Sequence, residues 1–483
     1  MTHKFSFLFA LAIFCLLSLC PVRAAEARDV YVRLSAGASK ITLASDANMT
    51  LVDASKKKHS LGKSAVLVKS GSHAAVGKSR YALPVRVVSD KGGLLKYGGR
   101  SYRGAMLLDK SFALVNVLGL EDYVKGVLPA EIGSLRSWEY LRVQAIISRT
   151  YVLRRSMSRS SRGYDVVDTA SDQVYRGAGS ETALTNRAVD DTAGEVVTYG
   201  GDLAFTPFHS DSGGHTADNA HVWGSRVPYL RGVRELAEYK SPNHEWTFKL
   251  TPAQARSVLS KLKLNVGDVK EIKVSEVDAG GRAVSLTFRG ANGKSAAVDA
   301  DSLRNAVGVN LMKSTMLING AVKTSKAAPQ TTKSTATVLP TLTAPSDDDT
   351  LSQMTSEGIF TTYELMDMLR NPDSKKNYLA IGLQRRASKA KASKKADVPA
   401  LSEFSAPKAA KASKEKTASV RKTGVEAGYV IPFENGAFVF RGSGWGHGVG
   451  LSQWGAMALA EQGWKAEAIL GHYYPGAKVK KIK

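Results

Sequence analysis

The chain has 483 residues, of which 43% are hydrophobic and 23% are charged. A chain of this length and composition can bury at least one large core and is expected to form two or three units, which excludes disorder throughout. Lysine and arginine outnumber aspartate and glutamate by 67 to 43, giving a net charge of +24, so an acidic polymer or anionic surface is the expected environment.

The first residues have the pattern of a secretory signal. A basic start precedes the apolar run Phe5–Cys20, and Val22-Arg23-Ala24 has the form of a cleavage site. The run is short for a membrane span, and no later stretch reaches spanning length. We therefore expect an exported protein of the periplasm or cell envelope with no membrane span after cleavage. An uncleaved anchor is the alternative.

Cysteine use supports a chain without thiol chemistry. Both cysteines, Cys15 and Cys20, lie in the signal segment. The mature chain would have no thiol, which excludes structural disulfides, cysteine zinc sites and a cysteine nucleophile.

Region 25–110 is expected to be rich in β-strands. Short apolar runs alternate with Gly, Ser, Lys and Asp, which is typical of strands and turns. The runs are Val30–Leu34, Ala65–Val68, Pro84–Val88 and Gly104–Leu108.

Two helices are expected next. The first begins at Leu120 with acidic residues in its first turn and is expected to end at Pro129, which leaves Glu131 in the connection that follows. The second covers Trp138–Met157, with an apolar stripe on one side and its arginines on the other.

Helices and strands are expected to alternate further along the chain. Helical patterns cover Ala183–Ala193, Thr251–Leu262 and Ser452–Gln462, each with a helix-start or helix-stop residue at an end. Strand patterns cover a hairpin over Glu195–Phe208 and the runs Val269–Glu276, Val284–Arg289 and Ser295–Val298.

Residues 323–428 change in character to Lys, Ala, Ser, Thr and Pro, which predicts a long disordered insert. Within Ser374–Lys422 there are 14 basic and 3 acidic residues. A solvated linker is one interpretation of this segment, and an electrostatic tether to an anionic polymer is the other.

Three groups of motifs occur in a fixed order. They are Leu120–Glu131 with Gln144–Tyr151, then Asp168–Gly177 with His209–Thr216 and Val222–Gly224, and finally Gly444–Ala456 with His472–Gly476. In these segments the chain resembles the SpoIID family, the stage II sporulation protein D type of peptidoglycan lytic transglycosylase, which includes the LytB-like amidase enhancers. The insert is not covered by the resemblance, and the N-terminal region matches only loosely.

The resemblance implies an α+β fold of the SpoIID type with a β-rich N-terminal region. The expected organisation is a signal peptide (1–24), a β-rich region (25–110), a SpoIID-like catalytic domain (111–322), the basic insert (323–428) and a last part of the same domain (429–483). The implied reaction cleaves the peptidoglycan glycan strand between N-acetylmuramic acid and N-acetylglucosamine and forms a 1,6-anhydro end. The family's catalytic acid is the glutamate of its Pro-Ala-Glu motif, which here is Glu131.

Glu131 also suits this role on chemical grounds. Cleaving a glycosidic bond requires a proton on the leaving oxygen, and a carboxylic acid is the usual donor. Apolar neighbours such as Val127, Leu128 and Ile132 predict a partly desolvated setting that favours the protonated acid. The C6 hydroxyl of the substrate can then trap the anomeric carbon, so one glutamate serves as acid and then base. A lone glutamate is more often a surface or helix-end charge, but the surrounding motif favours catalysis.

The predicted substrate contacts are hydroxyl, amide, imidazole and glycine-exposed backbone groups within the motifs. The Ser, His and Asp of the loop 209–216 do not suggest a hydrolytic triad, because neighbours on one loop rarely reach that geometry. A sugar-binding loop is preferred, and a Gly-rich turn without ligand is the alternative. The predicted contacts are Arg149, Tyr151, Gln173, Tyr175, His209, Ser210, Ser212, Gly213, Gly214, Thr216, His447 and Gln453.

No metal and no cofactor are expected. Some family members have a zinc site built partly from two cysteines, and the corresponding positions here are Val167 and Asp172. A site made of histidines alone lacks the usual ligand spacing.

Two functions from different classes stay open. The leading hypothesis is a lytic transglycosylase acting on peptidoglycan strands, including strands stripped of stem peptides. The alternative is a non-catalytic wall-binding protein that enhances an amidase, its partner. Nucleic-acid binding is not expected, since aromatic residues are not interleaved with basic ones.

Overall fold

The computed structural model describes residues 28–134, 136–239, 241–319 and 424–482. The predicted signal peptide and nearly all of the predicted insert lie outside these residues. The chain divides into two compact units. The first unit is Met1–Thr206 with Trp464–Gly471 and Gly476–Lys483, and the second is Pro207–Gly463 with His472–Pro475.

The first unit contains the long N-terminal sheet and the helices that follow it. Its strands are β1 (Asp29–Ser35), β2 (Lys40–Val52), β3 (Lys58–Ser70), β4 (His73–Val76), β5 (Ser79–Ala82), β6 (Val85–Ser89), β7 (Leu95–Tyr97), β8 (Arg100–Tyr102), β9 (Ala105–Leu108), β10 (Leu114–Gly119), β11 (Val166–Val167), β12 (Glu195–Tyr199), β13 (Asp202–Leu203) and β22 (Lys478–Lys481). Its helices are α1 (Leu120–Ile132), α2 (Trp138–Ser156), α3 (Arg159–Arg162) and α4 (Ala183–Asp191).

The large sheet of the first unit has the strand order β11-β1-β10-β9-β6-β2-β3-β4-β5, with β7 pairing β2 and β8. Its pairs are antiparallel except β1 with β11. Alternate residues of β2 (Ile41, Leu43, Met49 and Leu51) are buried, as expected for strands with one face on a core. The predicted β-rich region is confirmed.

Helix α1 follows β10 directly and continues through Pro129 to Ile132, so the predicted end at Pro129 is wrong. Proline removes one intrahelical hydrogen bond but has a helical φ. Residues Val127–Ala130 and Ile132 are buried, and this packing outweighs the lost bond. Glu131 therefore lies in the last turn of α1 rather than in a connection.

Helix α2 contains a buried arginine that the sequence pattern did not predict. The apolar stripe is buried as expected, but Arg149 is also 0% exposed. Its guanidinium forms an ion pair of 2.6 Å with Glu121 of α1 and donates to the carbonyls of Val189 and Glu195. The expectation that all arginines lie away from the core is wrong, because Glu121 and these carbonyls compensate the buried charge.

The second unit consists of short sheets and helices. Its strands are β14 (Phe208–His209), β15 (Glu245–Leu250), β16 (Val269–Val277), β17 (Ala283–Gly290), β18 (Ser295–Asp299), β19 (Phe433–Glu434), β20 (Ala437–Ser443) and β21 (Leu451–Ser452). Its helices are α5 (Asn219–Trp223), α6 (Pro252–Lys261), α7 (Ala300–Val307) and α8 (Gln453–Glu461). Helix α9 (Ala466–Tyr473) ends in this unit.

One core joins the segments on either side of the insert. Strand β15 pairs antiparallel with β20, more than 180 residues later in sequence, with Phe248 opposite Phe440. These two rings stack with centroids 4.7 Å apart. Val425 and Ile431 belong to the same buried cluster. The chain segments that flank residues 320–423 thus belong to one folded unit.

The α+β class is confirmed, and the predicted helices and strands of the second unit are present within two residues of their expected bounds. The predicted hairpin is shorter than expected, since β13 has two residues and Phe208 pairs instead with Leu451. Within the described ranges, no helix is long and apolar enough to cross a membrane.

Packing in the core of the second unit indicates one glycine that cannot carry a larger side chain without loss of stability. In β20, a Cβ on Gly442 would overlap the buried indole of Trp246, whose Nε1 donates to the Gly444 carbonyl at 2.9 Å. We expect Gly442→Ala to lower the free energy of unfolding by about 1–3 kcal/mol, because the anchored ring cannot move aside. Thermal unfolding checks this, with Gly471→Ala as control, since its Cβ would meet no atom within 4 Å. Equal stability of the two variants would contradict the prediction.

Candidate functional site

The predicted site residues are distributed over both units. Glu131, Arg149, Tyr151, Gln173 and Tyr175 lie in the first unit, and the loop and C-terminal residues lie in the second.

Glu131 is held by the backbone of the loop 168–177. The side chain is half-buried, and its Oε1 accepts a hydrogen bond of 2.6 Å from the Val174 amide. An amide can only donate, so Oε1 must be an acceptor. This hydrogen bond favours the form in which a proton carried by the carboxyl group is on Oε2, since the unprotonated oxygen is the stronger acceptor.

The residues next to Val174 are fixed by buried hydroxyl groups. The Tyr123 hydroxyl of α1 donates to Gln173 Oε1 at 3.0 Å, and the Tyr175 hydroxyl donates to Asn116 Oδ1 at 2.8 Å. Burial, followed by the charge of Glu131, raises the pKa of Tyr123, so this hydroxyl stays protonated. The structure thus brings Glu131, at the end of α1, together with Gln173, in the loop 168–177.

The predicted contacts in this unit differ in exposure. Gln173, Tyr175 and Arg149 are buried and bonded to protein groups, whereas Tyr151 is half-buried and donates to Asp172 Oδ1 at 3.0 Å. Arg149 is occupied by Glu121, at the opposite end of α1 from Glu131. Their assignment as glycan contacts stays a prediction, and the geometry gives Arg149 a packing role.

The residues at the family's zinc position do not fit a zinc ion. Val167 offers no side-chain ligand, and Asp172 accepts from Tyr151, from the Val167 amide and from Arg155. Both carboxylate oxygens are thereby engaged. Among the residues that the structure describes, no three His, Cys, Asp or Glu side chains are grouped as metal ligands.

In the second unit, hydrogen bonds with polar side chains hold the loop 209–216 in place. Asp211 accepts from the Gly213 amide at 2.8 Å, from Tyr239 at 2.7 Å, and from Ser241. The buried Arg282 donates to the carbonyls of Ser212 and His215 at 2.5 and 2.9 Å. The loop is therefore preorganised rather than mobile.

Glu235 is a buried carboxyl group beside this loop that sequence reasoning missed. Its oxygens accept from Ser212 and Tyr473, both at 2.5 Å. Burial raises its pKa to about 7, against the lowering effect of these hydrogen bonds. Glu235 lies in a polar stretch without periodicity, so no sequence signal distinguished it from a surface glutamate.

His209 and His447 are neutral histidines packed side by side. His447 accepts from the Val449 amide at Nδ1, so Nε2 carries the hydrogen and donates to the Phe208 carbonyl at 3.1 Å. Desolvation lowers the pKa of His447 to about 4 and also lowers that of His209. Both nitrogens of His447 thus have protein partners. The indole of Trp223 lies against this ring, with centroids 4.9 Å apart.

The remaining predicted contacts lie around the parallel pair β14–β21. Ser210 and Gln453 are half-buried, and Thr216 is buried with its hydroxyl bonded to Val233. Gly213 has a φ of +74°, and a Cβ there would lie 2.5 Å from the Ser443 carbonyl; Gly214 also has a positive φ. The second unit therefore brings the segments of His209, Gly213, His447 and Gln453 together.

The region that contains Glu131 is similar to known proteins. The SpoIID family model, described as Stage II sporulation protein, matches residues 108–199. The chain is 28% identical to the Amidase enhancer of Bacillus subtilis over 73% of its own length, and 32% identical to Stage II sporulation protein D of the same organism over 30%. An uncharacterized protein of Brachyspira hyodysenteriae is 31% identical over 39% of the chain. The chain spans between 39% and 52% of the length of these relatives.

The raised pKa of Glu235 predicts how stability depends on pH. An ordinary glutamate titrates near 4.3 when unfolded, so the native state holds an extra proton between about pH 4 and 7. This contribution to stability is present at low pH and is lost as the pH rises through 7. Glu235→Gln removes the titration. We expect the free energy of unfolding of the variant, relative to wild type, to increase by roughly 3 kcal/mol from pH 5 to pH 8.

Denaturant unfolding at both pH values measures this difference. Glu238→Gln, at an exposed position nearby, is the control and should give no such change. If the free energy of unfolding of Glu235→Gln relative to wild type were the same at both pH values, the carboxyl group would not be protonated in the folded chain.

Proposed function

We propose that this chain, which belongs to the SpoIID family, is an exported lytic transglycosylase that cleaves the glycan strands of peptidoglycan. The observation that carries the proposal is the geometry of Glu131. Its carboxyl group lies within the region matched by the family model and is oriented by the Val174 amide at 2.6 Å. Export to the cell envelope is part of the proposal and rests on the sequence pattern of residues 1–24.

Glu131 would act first as acid and then as base through one oxygen. With Oε1 accepting from Val174, the proton sits on Oε2 and passes to the glycosidic oxygen as the bond to the anomeric carbon breaks. The C6 hydroxyl of the same N-acetylmuramic acid then bonds to the anomeric carbon and returns its proton to Oε2. The product is a 1,6-anhydro end, no water is consumed, and Glu131 is regenerated.

A single carboxyl group is sufficient for this route. Hydrolases that retain or invert configuration need a second carboxylate at a fixed distance, whereas the substrate's own hydroxyl replaces it here. Buried tyrosines on the helix of Glu131 and on the loop provide the desolvated side of the site. Strands stripped of stem peptides are the preferred form of substrate in this proposal, and a peptidoglycan amidase is the cooperating enzyme.

A second candidate function is enhancement of an amidase by glycan binding alone. It is favoured by the extent of similarity to the Amidase enhancer of Bacillus subtilis, which covers 73% of this chain against 30% for Stage II sporulation protein D. The preorganised loop 209–216 suits binding without cleavage.

The transglycosylase proposal predicts the loss of anhydro ends in one isosteric variant. Mature protein, Glu131→Gln and Glu139→Gln are incubated with peptidoglycan strands before and after amidase treatment, and products are identified by mass spectrometry. We expect Glu131→Gln to lower the formation of anhydro ends by at least about 10³-fold, because the proton donor is gone. Glu139→Gln should retain activity, since Glu139 pairs with Lys465 and Arg142 at the start of α2.

Two results would contradict the proposal. Anhydro ends formed equally by Glu131→Gln would exclude this residue as the acid. Strands bound by all three proteins but cut by none would favour the enhancer function, which an amidase-stimulation assay with the same proteins then measures.

A further inference from the structure

The side chain of Gln173 is fully buried, but within the described part of the chain only the oxygen of its amide group has a hydrogen-bond partner. It is 0% exposed, and its Oε1 accepts from the Tyr123 hydroxyl at 3.0 Å. Its Nε2 has no hydrogen-bond partner among the residues described by the structure. A buried amide without an acceptor destabilises a fold, so such a group calls for an explanation other than packing.

The position of Tyr123 and Gln173 relative to Glu131 supplies such an explanation. Tyr123 and Glu131 lie on the same helix, eight residues apart, and Gln173 directly precedes the residue whose amide binds Glu131. The contacts from Tyr123 to Gln173 and from Val174 to Glu131 are therefore adjacent links between α1 and one loop. A third link joins the Arg176 amide to the Gly126 carbonyl at 3.3 Å.

We propose that Tyr123 and Gln173 are positioning residues that hold the Val174 amide on Oε1 of Glu131, and thereby assign the acid proton to Oε2. The inference rests on the proposed function for its effect on the reaction, but its effect on the Val174 hydrogen bond can be measured without any reaction. Gln173 is buried and acts through the next residue, so it does not contact the glycan.

Other anchors already attach this loop to the fold. The Tyr175 hydroxyl bonds Asn116 of β10, and Asp172 binds Tyr151 and Arg155 of α2. A pair of apolar side chains in place of Tyr123 and Gln173 would fill the same space without an unpaired donor. Retaining the polar pair at the site lowers stability in favour of a fixed geometry, which is typical of functional positions.

The double variant Y123F/Q173M tests this division between stability and function. Both replacements keep the buried volume and remove the hydroxyl-to-amide bond together, so we expect the melting temperature to be unchanged or higher. The amide of Val174 should exchange with deuterium about tenfold faster or more, because its acceptor is no longer held in place. The rate of anhydro-end formation should fall about tenfold or more at unchanged KM.

Two further variants calibrate the measurements. T206V removes a hydroxyl bond of similar burial, from Thr206 to the Ile147 carbonyl at 3.1 Å in the same unit, and it should leave Val174 exchange and the rate within about twofold of wild type while lowering stability. E131A removes the acceptor itself and defines the exchange rate of a released Val174 amide.

Several results would overturn the inference. Unchanged Val174 exchange in Y123F/Q173M would show that the pair does not hold the amide, whether or not the protein cleaves glycan. A raised KM at unchanged kcat would identify Gln173 as a substrate contact instead. Failure of the proposed function is a separate outcome, since wild type would then form no anhydro ends while the exchange comparison remains decisive.

Discussion

The buried ion pair between Arg149 and Glu121 organises the first unit. The arginine on α2 binds the carboxylate at the start of α1, and it donates to carbonyls at the end of α4 and at the start of β12. The same carboxylate accepts from the Gly194 amide. Four chain segments thus converge on one fully buried charge, which must be compensated for the fold to be stable. This constraint fixes the direction of α1, and Glu131 lies at the other end of that helix.

In the second unit, a buried arginine likewise holds a chain segment, the loop 209–216. Arg282 is buried and donates to the carbonyls of Ser212 and His215, while Asp211 collects an amide and two hydroxyl hydrogens. Most polar side chains of the loop are therefore turned towards the protein. They hold the backbone, and the amides of Asp211–Gly214 also donate to protein acceptors, so contact with a ligand would fall to half-buried groups such as Ser210 and Gln453.

Patterns with strong periodicity were predictable from the sequence, and residues with tertiary partners were not. The strands of the N-terminal sheet and the helices capped by Thr251 and Ser452 follow from alternation and capping. Pro129 was expected to end a helix, but the burial of its neighbours overrides the local rule. Arg149 and Glu235 look like surface charges in sequence, and only partners distant in the chain explain why they are buried. The position of Glu131 on a motif was predictable, whereas its hydrogen bond to Val174 depends on a loop more than 40 residues later.

The same geometry bears on the choice between cleavage and binding. A binding protein requires an ordered surface, and the loop 209–216 meets that requirement through contacts within the second unit. It does not require one glutamate to present a particular oxygen. In the first unit, the Val174 amide donates to Glu131 Oε1, and the preceding residue, Gln173, accepts from the Tyr123 hydroxyl. Such arrangement around one carboxyl group is unnecessary for adhesion to glycan, and it is what a general acid requires. This orientation of Glu131 is the support that the structure offers to the proposed transglycosylase.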